Sequence, residues 1–291
     1  MLINLVSIFI LILIICLIII LCNKCNKKSS FKNIKDSNNF LFTSSYIKIP
    51  NPRKNAKYDN FFKNTLVVNA NYNIYGSKEF INEAYNIRKD NGYLTYTNEL
   101  SFENLKELSY KYFNEYDILS KLQKDSIDKY KNLNSNLHCV SNNLLFIWIT
   151  KLLLVKLTII KYPNFKIYGW IDAGYTSYRK GNKKIPNKPF PTNNINNIDL
   201  NKLYVNRYDH ACHPFYYKDN YNLKQCPIGG FFYGSKKVMN KFIDSYIEIV
   251  KKHLKNNISL CTEQDLFEIV IQKYNIPIYD FNKDTYELIF I

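Results

Sequence analysis

The pattern of apolar and polar residues predicts strands that alternate with helices along most of the chain. Short runs of apolar, aromatic and β-branched residues predict strands, and apolar residues at helical spacing predict helices between them. This alternation is typical of an α/β domain with a Rossmann-type, mostly parallel sheet flanked by helices. The predicted strands are residues 66–72, 93–97, 165–171, 229–235 and 276–279, and predicted helices begin near residues 77, 98, 142, 235 and 262.

Residues 142–161 form a long apolar segment in the middle of the chain. Its length would suffice to cross a membrane, but Lys151 and Lys156 would each be costly at the centre of a bilayer. We therefore expect this segment to be a helix buried against the sheet. Lys151 at the edge of such a helix could serve a ligand or could simply extend its charge to solvent.

The first 22 residues predict a transmembrane anchor. Residues 5–21 carry no charge and are long enough to cross a hydrocarbon core of roughly 30 Å. A cleaved signal peptide is the alternative, which is disfavoured because no basic region precedes the segment and no small-residue cleavage site follows it. The predicted organisation is an anchor at 1–22, a stem at 23–62 that is rich in Lys, Asn and Ser, and one α/β domain at 63–291.

The side of the membrane on which the domain lies is open. Five lysines follow the anchor within 14 residues, and the positive-inside rule then favours a single-pass protein with a cytosolic C-terminal domain. A luminal domain would make the sequon at Asn257 usable for glycosylation. The four domain cysteines could form two disulfides, and their scattered spacing makes a zinc site unlikely. They are Cys139, Cys212, Cys226 and Cys261.

The net charge of +16 does not predict a nucleic-acid partner. Of the 40 basic residues 36 are Lys and only four are Arg, and the chain is also rich in Asn, Ile and Tyr. This joint bias is typical of AT-rich coding sequence, and the lysines are spread through every segment rather than clustered. A basic surface would still favour phosphate-bearing ligands or anionic lipid headgroups.

One carboxylate stands at the end of the predicted strand 165–171. Asp172 follows the strand directly and precedes the small residues Ala173 and Gly174. Ligands of open α/β sheets bind at the carboxyl ends of the strands. A carboxylate in this position could hold a divalent cation that bridges to a diphosphate. The structural alternative is that Asp172 only caps the turn before Gly174.

Taken together, these segments resemble the HtrL/YibB family of glycosyltransferase-like proteins and, more broadly, transferases of the GT-A type. The resemblance covers about residues 64–280. It depends on the order of several motifs rather than on any single one. These are Val67-Val68, Tyr96-Thr97, Trp148 with Lys151, Trp170-Ile171-Asp172-Ala173-Gly174, the glycine-bracketed aromatic segment 229–235, and Thr262-Glu263-Gln264-Asp265.

The resemblance implies a GT-A-like transferase that moves a sugar from a nucleotide-sugar donor to a glycan or protein acceptor. The predicted anchor would tie this transferase to a membrane. The resemblance also implies Mn²⁺ or Mg²⁺ as cofactor, held by Asp172, although Gly174 stands where the second acid of a DxD motif would be. A second metal ligand could come from His210, Asp209 or His213. Luminal Golgi transferases would place the domain on the opposite side from the flanking charge. The implied donor-binding residues are Ala70, Tyr72, Tyr96, Thr97, Lys151, Asp172, Gly174, Gly229 and Gly230.

Glu263 and Asp265 are the candidates for a catalytic base, because they resemble the acids on the acceptor side of the family. Both also suit the first turn of a helix that Thr262 caps, which is the structural alternative. Two other functional classes compete with the transferase. One is a catalytically silent domain of the same fold that binds glycan or protein, which the lone acid Asp172 favours. The other is a basic domain that binds nucleic acid or lipid headgroups at a membrane.

Overall fold

The computed structural model describes residues 39–49, 62–90, 94–114, 117–119, 142–175, 190, 197–207, 225–258, 260 and 262–283. The predicted anchor at 1–22 lies outside the described residues, as do Asp209, His210 and His213. One compact unit spans Lys35–Ile291.

The described residues form a seven-stranded sheet with helices between its strands. The order of the strands across the sheet is β3-β2-β1-β4-β6-β5-β7, and β6 alone runs antiparallel to its neighbours. The predicted α/β class with a mostly parallel sheet is therefore confirmed. The strands are β1 (Phe40–Tyr46), β2 (Tyr72–Gly76), β3 (Thr95–Glu99), β4 (Ile167–Ile171), β5 (Leu203–Val205), β6 (Phe231–Ser235) and β7 (Ile278–Asp280). The helices are α1 (Lys78–Arg88), α2 (Phe102–Tyr112), α3 (Asn142–Lys161), α4 (Lys236–Lys255) and α5 (Glu263–Lys273).

Strand β1 is the point at which the chain changes direction across the sheet. From β1 the chain proceeds to β2 and β3 on one side, and it then returns to β4 on the other side of β1. Thr43 of β1 pairs with Trp170 of β4, so continuing the parallel register places Ser45 beside Asp172. The carboxyl ends of β1 and β4 thus flank a topological switch point, which is where open α/β sheets bind ligands.

The predicted stem is wrong for the residues that form β1. Residues 40–46 lie in the centre of the sheet, and Leu41, Phe42 and Thr43 are fully buried. The polar Thr-Ser-Ser in this strand and the surrounding Asn and Lys residues hid it from the hydrophobic pattern. The predicted first strand at 66–72 is also wrong, since only Tyr72 belongs to a strand, β2.

Several helices begin at the residues that the sequence predicts, and α3 is buried as predicted. Ser77 is the N-cap of α1, and the Ser235 hydroxyl accepts a hydrogen bond from the Val238 backbone N–H at the start of α4. Thr262 caps α5 through the Asp265 backbone N–H. Helix α3, the segment long and apolar enough to cross a membrane among the described residues, is mostly buried. It packs on β1 and β4, which confirms the prediction of a core helix.

A buried polar network holds α3 against the sheet. Thr158 of α3 accepts hydrogen bonds from Thr43 in β1 at 2.9 Å and from Asn73 in β2 at 2.7 Å, and it donates to the Leu154 carbonyl at 2.9 Å. Because polar groups buried in a core need partners, these bonds favour one docked position of α3 over neighbouring ones. That position places Lys151, two turns earlier in α3, at the carboxyl end of β4.

Candidate functional site

Asp172 extends from the carboxyl end of β4 with one oxygen turned inward. Its Oδ1 atom accepts hydrogen bonds from the Trp170 indole N–H and from Lys151 Nζ, the latter at 3.2 Å. Its side chain is 34 % exposed, in contrast to the buried residues around it. None of the described residues donates a hydrogen bond to Oδ2, so this oxygen is the one available to a ligand.

Lys151 lies beneath Asp172 and is only 1 % exposed. Its ammonium group donates to Asp172, to the Gly229 carbonyl at 2.9 Å and to Glu263 Oε1 at 2.8 Å. Burial lowers the pKa of Lys151, but the Asp172 and Glu263 carboxylates outweigh burial and hold that pKa above its ordinary value. All three ammonium protons are thus used within the protein, and none remains for a diphosphate.

Glu263 opens helix α5 and is the closer of the two carboxylate partners of Lys151. Its side chain is 3 % exposed, and its Oε2 atom has no hydrogen-bond partner among the described residues. Burial raises the pKa of Glu263 above its ordinary value, and the Lys151 ammonium opposes part of this rise. Glu263 is therefore a buried partner of Lys151, and it does not face a bound sugar acceptor.

The second predicted base, Asp265, is fully buried. Its Oδ2 atom accepts from the Thr262 hydroxyl at 3.0 Å, and its backbone N–H donates to the same hydroxyl. Its Oδ1 atom lies 3.5 Å from the sulfur of Cys226, which is disulfide-bonded. This geometry corresponds to the structural alternative, in which Asp265 belongs to the cap of α5.

Gly229 and Gly230 precede β6 and approach the acids closely. A Cβ atom on Gly229 would lie 2.2 Å from Glu263 Oε1, so a side chain is excluded there. A Cβ atom on Gly230 would lie 3.4 Å from Asp172 Oδ2, which makes Gly230 part of the floor beside the exposed oxygen. Gly174 lies in the turn after β4, which the Tyr175 N–H closes on the Asp172 carbonyl.

Ser44 and Ser45 complete this edge and were not predicted from the sequence. Ser44 is fully buried and Ser45 is 8 % exposed, and the described residues offer neither hydroxyl a hydrogen-bond partner. Buried hydroxyls without partners are uncommon in proteins. Both lie at the carboxyl end of β1, across the switch point from Asp172. The run Phe40-Leu41-Phe42-Thr43 before them was the available signal for a strand.

Ala70 and Tyr72 lie away from this edge. The Ala70 carbonyl accepts a hydrogen bond from the buried guanidinium of Arg88, which also bonds the Val68 carbonyl at 3.0 Å and stacks 4.4 Å from the centre of the Tyr72 ring. Tyr72 starts β2 at the amino end of the sheet and is fully buried. The structure therefore assigns both residues to the packing around Arg88.

Tyr96 and Thr97 are also remote from Asp172. They lie in the edge strand β3, three strand spacings from β4, which is roughly 14 Å. The Tyr96 ring stacks on Tyr162 with the ring centres 4.0 Å apart, beside a groove at the amino end of the sheet. Of the predicted donor-binding residues, the structure brings together Lys151, Asp172, Gly174, Gly229 and Gly230.

The described residues fit a cation that is shared with its ligand, and they do not form a closed metal site. No group of three or more His, Cys, Asp or Glu side chains among them could hold a metal ion. Among the described carboxylates here, Asp172 is the one with an exposed oxygen, Oδ2. Mg²⁺ is commonly bound by one or two carboxylates together with substrate phosphates, and such a site is compatible with one protein oxygen. The predicted second ligand, His210, lies outside the described residues.

No protein-family model matches this chain, and no curated protein matches it. Solved structures with a similar fold include mouse xyloside xylosyltransferase 1 in its apo form, at 8 % sequence identity and a TM-score of 0.49 over 83 % of this chain and 84 % of that chain. They also include the PaToxG glycosyltransferase, at 14 % identity and a TM-score of 0.37 over 81 % of this chain and 69 % of that chain. At these scores neither likeness carries an argument about function, and the resemblance to the HtrL/YibB family stays a prediction from motifs.

Proposed function

We propose that this chain is a glycosyltransferase that moves a sugar from a nucleotide-sugar donor to a glycan or protein acceptor. The observation that supports this most is the half-exposed carboxylate of Asp172 at the switch point of an open α/β sheet. Since the fold alone does not specify a function, the proposal depends on this site and on the resemblance of its motifs.

The nucleoside diphosphate of the donor would lie across the carboxyl ends of β1 and β4. Asp172 Oδ2, the exposed oxygen at this edge, can accept from a ribose hydroxyl or hold Mn²⁺ or Mg²⁺. A bound cation would neutralise the charge that develops on the leaving diphosphate. The backbone at Gly230 lets a ligand approach Asp172 because no side chain covers the oxygen.

A catalytically silent binding domain is the second candidate. It is favoured by the burial of Glu263 and Asp265, at 3 % and 0 % exposure, which removes both predicted bases from contact with an acceptor. A domain of this kind would bind a nucleotide or a glycan at the same edge but would not transfer the sugar. Turnover of a nucleotide sugar separates the two candidates.

The test compares the full chain with Asp172→Asn on a panel of nucleotide sugars in the presence of Mn²⁺. We expect hydrolysis or transfer from one donor, and a loss of about 10²-fold or more in Asp172→Asn, because the neutral amide no longer binds a cation. Asp244→Asn is the matched control, since Asp244 is 62 % exposed and pairs with Lys156 on the far part of α3. Binding without turnover in the parent chain would favour the silent domain.

The compartment of the domain is part of the proposal. The disulfide at Cys226 favours an oxidising compartment, because disulfides form and persist there. The lysines after the anchor favour the cytosol instead. Because the disulfide belongs to the folded domain, we propose a luminal or external domain as the orientation to test against the cytosolic one.

A further inference from the structure

We propose that Lys151 is a positioning residue: it fixes Asp172 so that Oδ2 faces the ligand, and it does not touch the ligand itself. The inference deepens the proposed function in taking Asp172 as the ligand contact. It departs from the expectation, implied by the resemblance, that Lys151 binds the donor directly. The proposal rests on the three hydrogen bonds that the Lys151 ammonium group donates.

Each proton of Lys151 is directed at a different structural element. One bonds Asp172 after β4, one bonds the Gly229 carbonyl before β6, and one bonds Glu263 at the start of α5. At 1 % exposure the ammonium has no open side from which a ligand could approach. Lys151 therefore sets the relative positions of the three segments that meet at the ligand edge.

The carboxylate of Asp172 is oriented by two donors that share one oxygen. Lys151 Nζ and the Trp170 indole N–H both bond Oδ1, and Lys151 Nζ also lies 5.4 Å from the centre of the Trp170 ring. Rotation of the carboxylate would break both bonds, so Oδ2 stays on the open side. Without Lys151 only the indole would hold Asp172, and a ligand would have to order that side chain on binding.

Glu263 makes the buried lysine tolerable and explains the glycine at position 229. A buried ammonium needs a close counter-charge, and Glu263 supplies one at 2.8 Å within the core. The backbone at Gly229 must approach both the ammonium and Glu263, which leaves no room for a Cβ atom. Lys151, Glu263 and Gly229 thus form one buried cluster that holds Asp172 in place.

The tested variant is the pair Lys151→Met with Glu263→Gln. Lys151→Met alone would leave Glu263 buried without its counter-charge and is expected to unfold the domain. The pair removes a positive and a negative charge together, and so it preserves the formal charge of the cluster while it removes the bonds to Asp172. Lys156→Met is the matched control on the same helix, because Lys156 is 25 % exposed and pairs with Asp244 away from the site.

The first readout is hydrogen exchange of the two tryptophan indole N–H groups in the ligand-free full chain, observed by NMR. We expect exchange at Trp170 to accelerate about two- to tenfold in the double variant, because an unfixed Asp172 leaves the indole intermittently unbonded. Trp148, which lies in α3, is the internal reference and should not change, and Lys156→Met should change neither signal. Unchanged exchange at Trp170, or equal acceleration at both tryptophans, would overturn the positioning role.

The second readout is the affinity of the protein for Mn²⁺ alone, measured by calorimetry. The double variant should bind Mn²⁺ about two- to tenfold more weakly than the parent and Lys156→Met, since Asp172 must be ordered again. Equal affinity in all three proteins would contradict the proposal. If the parent itself does not bind Mn²⁺, the proposed use of a cation fails, and the indole readout still decides the role of Lys151.

Discussion

At the scale of single residues, the surroundings of three acids give them different roles. Asp172 keeps one oxygen at an open edge, Glu263 pairs with a buried ammonium, and Asp265 belongs to a helix cap. All three are close in space, yet only Asp172 is accessible to a ligand. Among these three acids, ligand contact at this edge therefore depends on Asp172.

The two glycines before β6 give a residue-scale prediction. Gly229→Ala would place a methyl group 2.2 Å from Glu263 Oε1 and should lower the free energy of unfolding by about 1–3 kcal/mol, as overpacking does. Gly230→Ala meets its nearest atom, Asp172 Oδ2, at 3.4 Å, so stability should change by less than about 1 kcal/mol. Urea unfolding measures both changes.

Donor binding should be affected more by Gly230→Ala than by Gly229→Ala, whereas stability should be affected more by Gly229→Ala. The methyl group of Gly230→Ala would cover part of Asp172 Oδ2 and weaken the binding of a metal–nucleotide ligand. Equal loss of stability in the two variants would show that the close approach of Gly229 to Glu263 has no special cost.

The sequence predicts Asp172 because a strand pattern and an acid at its end are local features. The roles of Lys151, Glu263 and Asp265 depend on which elements pack together. The types of these residues do not predict that packing. Lys151 fits a helix edge as well as a buried centre, and an acid in a first helical turn suits a cap as well as a site.

At the scale of elements, several helix starts were predictable, and the strands β1, β2 and β5 were not. Caps at Ser77, Ser235 and Thr262 mark helix starts through local hydrogen bonds, so the sequence carries the signal. Strand β1 has the polar run Thr-Ser-Ser after Phe40-Leu41-Phe42, and β5 has only three residues, so the hydrophobic signal of each strand is short. Burial of β1 comes from its neighbours in the sheet.

The docking of α3 on the sheet gives the element-scale prediction. Thr158→Val would leave the Thr43 hydroxyl and the Asn73 amide without their buried acceptor, and the free energy of unfolding should fall by about 2 kcal/mol or more. Thr150→Val is the matched control, because the Thr150 hydroxyl donates within its own helix to the Phe146 carbonyl. Its loss should cost less than about 1 kcal/mol, as measured by urea unfolding.

Equal effects of the two substitutions would contradict the role of the network. A loss of donor turnover in Thr158→Val that exceeds its loss of folded protein would show that the position of α3 also affects the site through Lys151.

At the scale of the whole molecule, the order of the strands determines which end of the sheet binds the ligand and between which strands. The sequence predicts the α/β class, but the switch point depends on which strand comes first. With β1 assigned to a stem, residues 66–72 were predicted as the first strand, and Ala70 and Tyr72 within it as donor-binding residues. The structure shifts the first strand to β1, which carries Ser44 and Ser45 and pairs with β4.

The compartment of the domain gives a whole-molecule prediction. If the domain lies in an oxidising compartment, Cys226 should resist alkylation in the denatured protein until it is reduced, because it is disulfide-bonded. Asn257 is exposed just after α4, so the sequon that it begins should be glycosylated on expression in the eukaryotic secretory pathway. Asn257→Gln should then remove the mass of one glycan. A freely alkylated Cys226 and an unmodified Asn257 would instead support the cytosolic orientation that the flanking lysines favour.

The most direct test of the account is an experimental structure of the full chain with Mn²⁺ and a nucleoside diphosphate. The account predicts the metal at coordination distance from Asp172 Oδ2, and the nucleotide across the carboxyl ends of β1 and β4 beside Asp172 and Gly230. A nucleotide bound in the groove beside Tyr96 and Tyr162, at the amino end of the sheet, would contradict it.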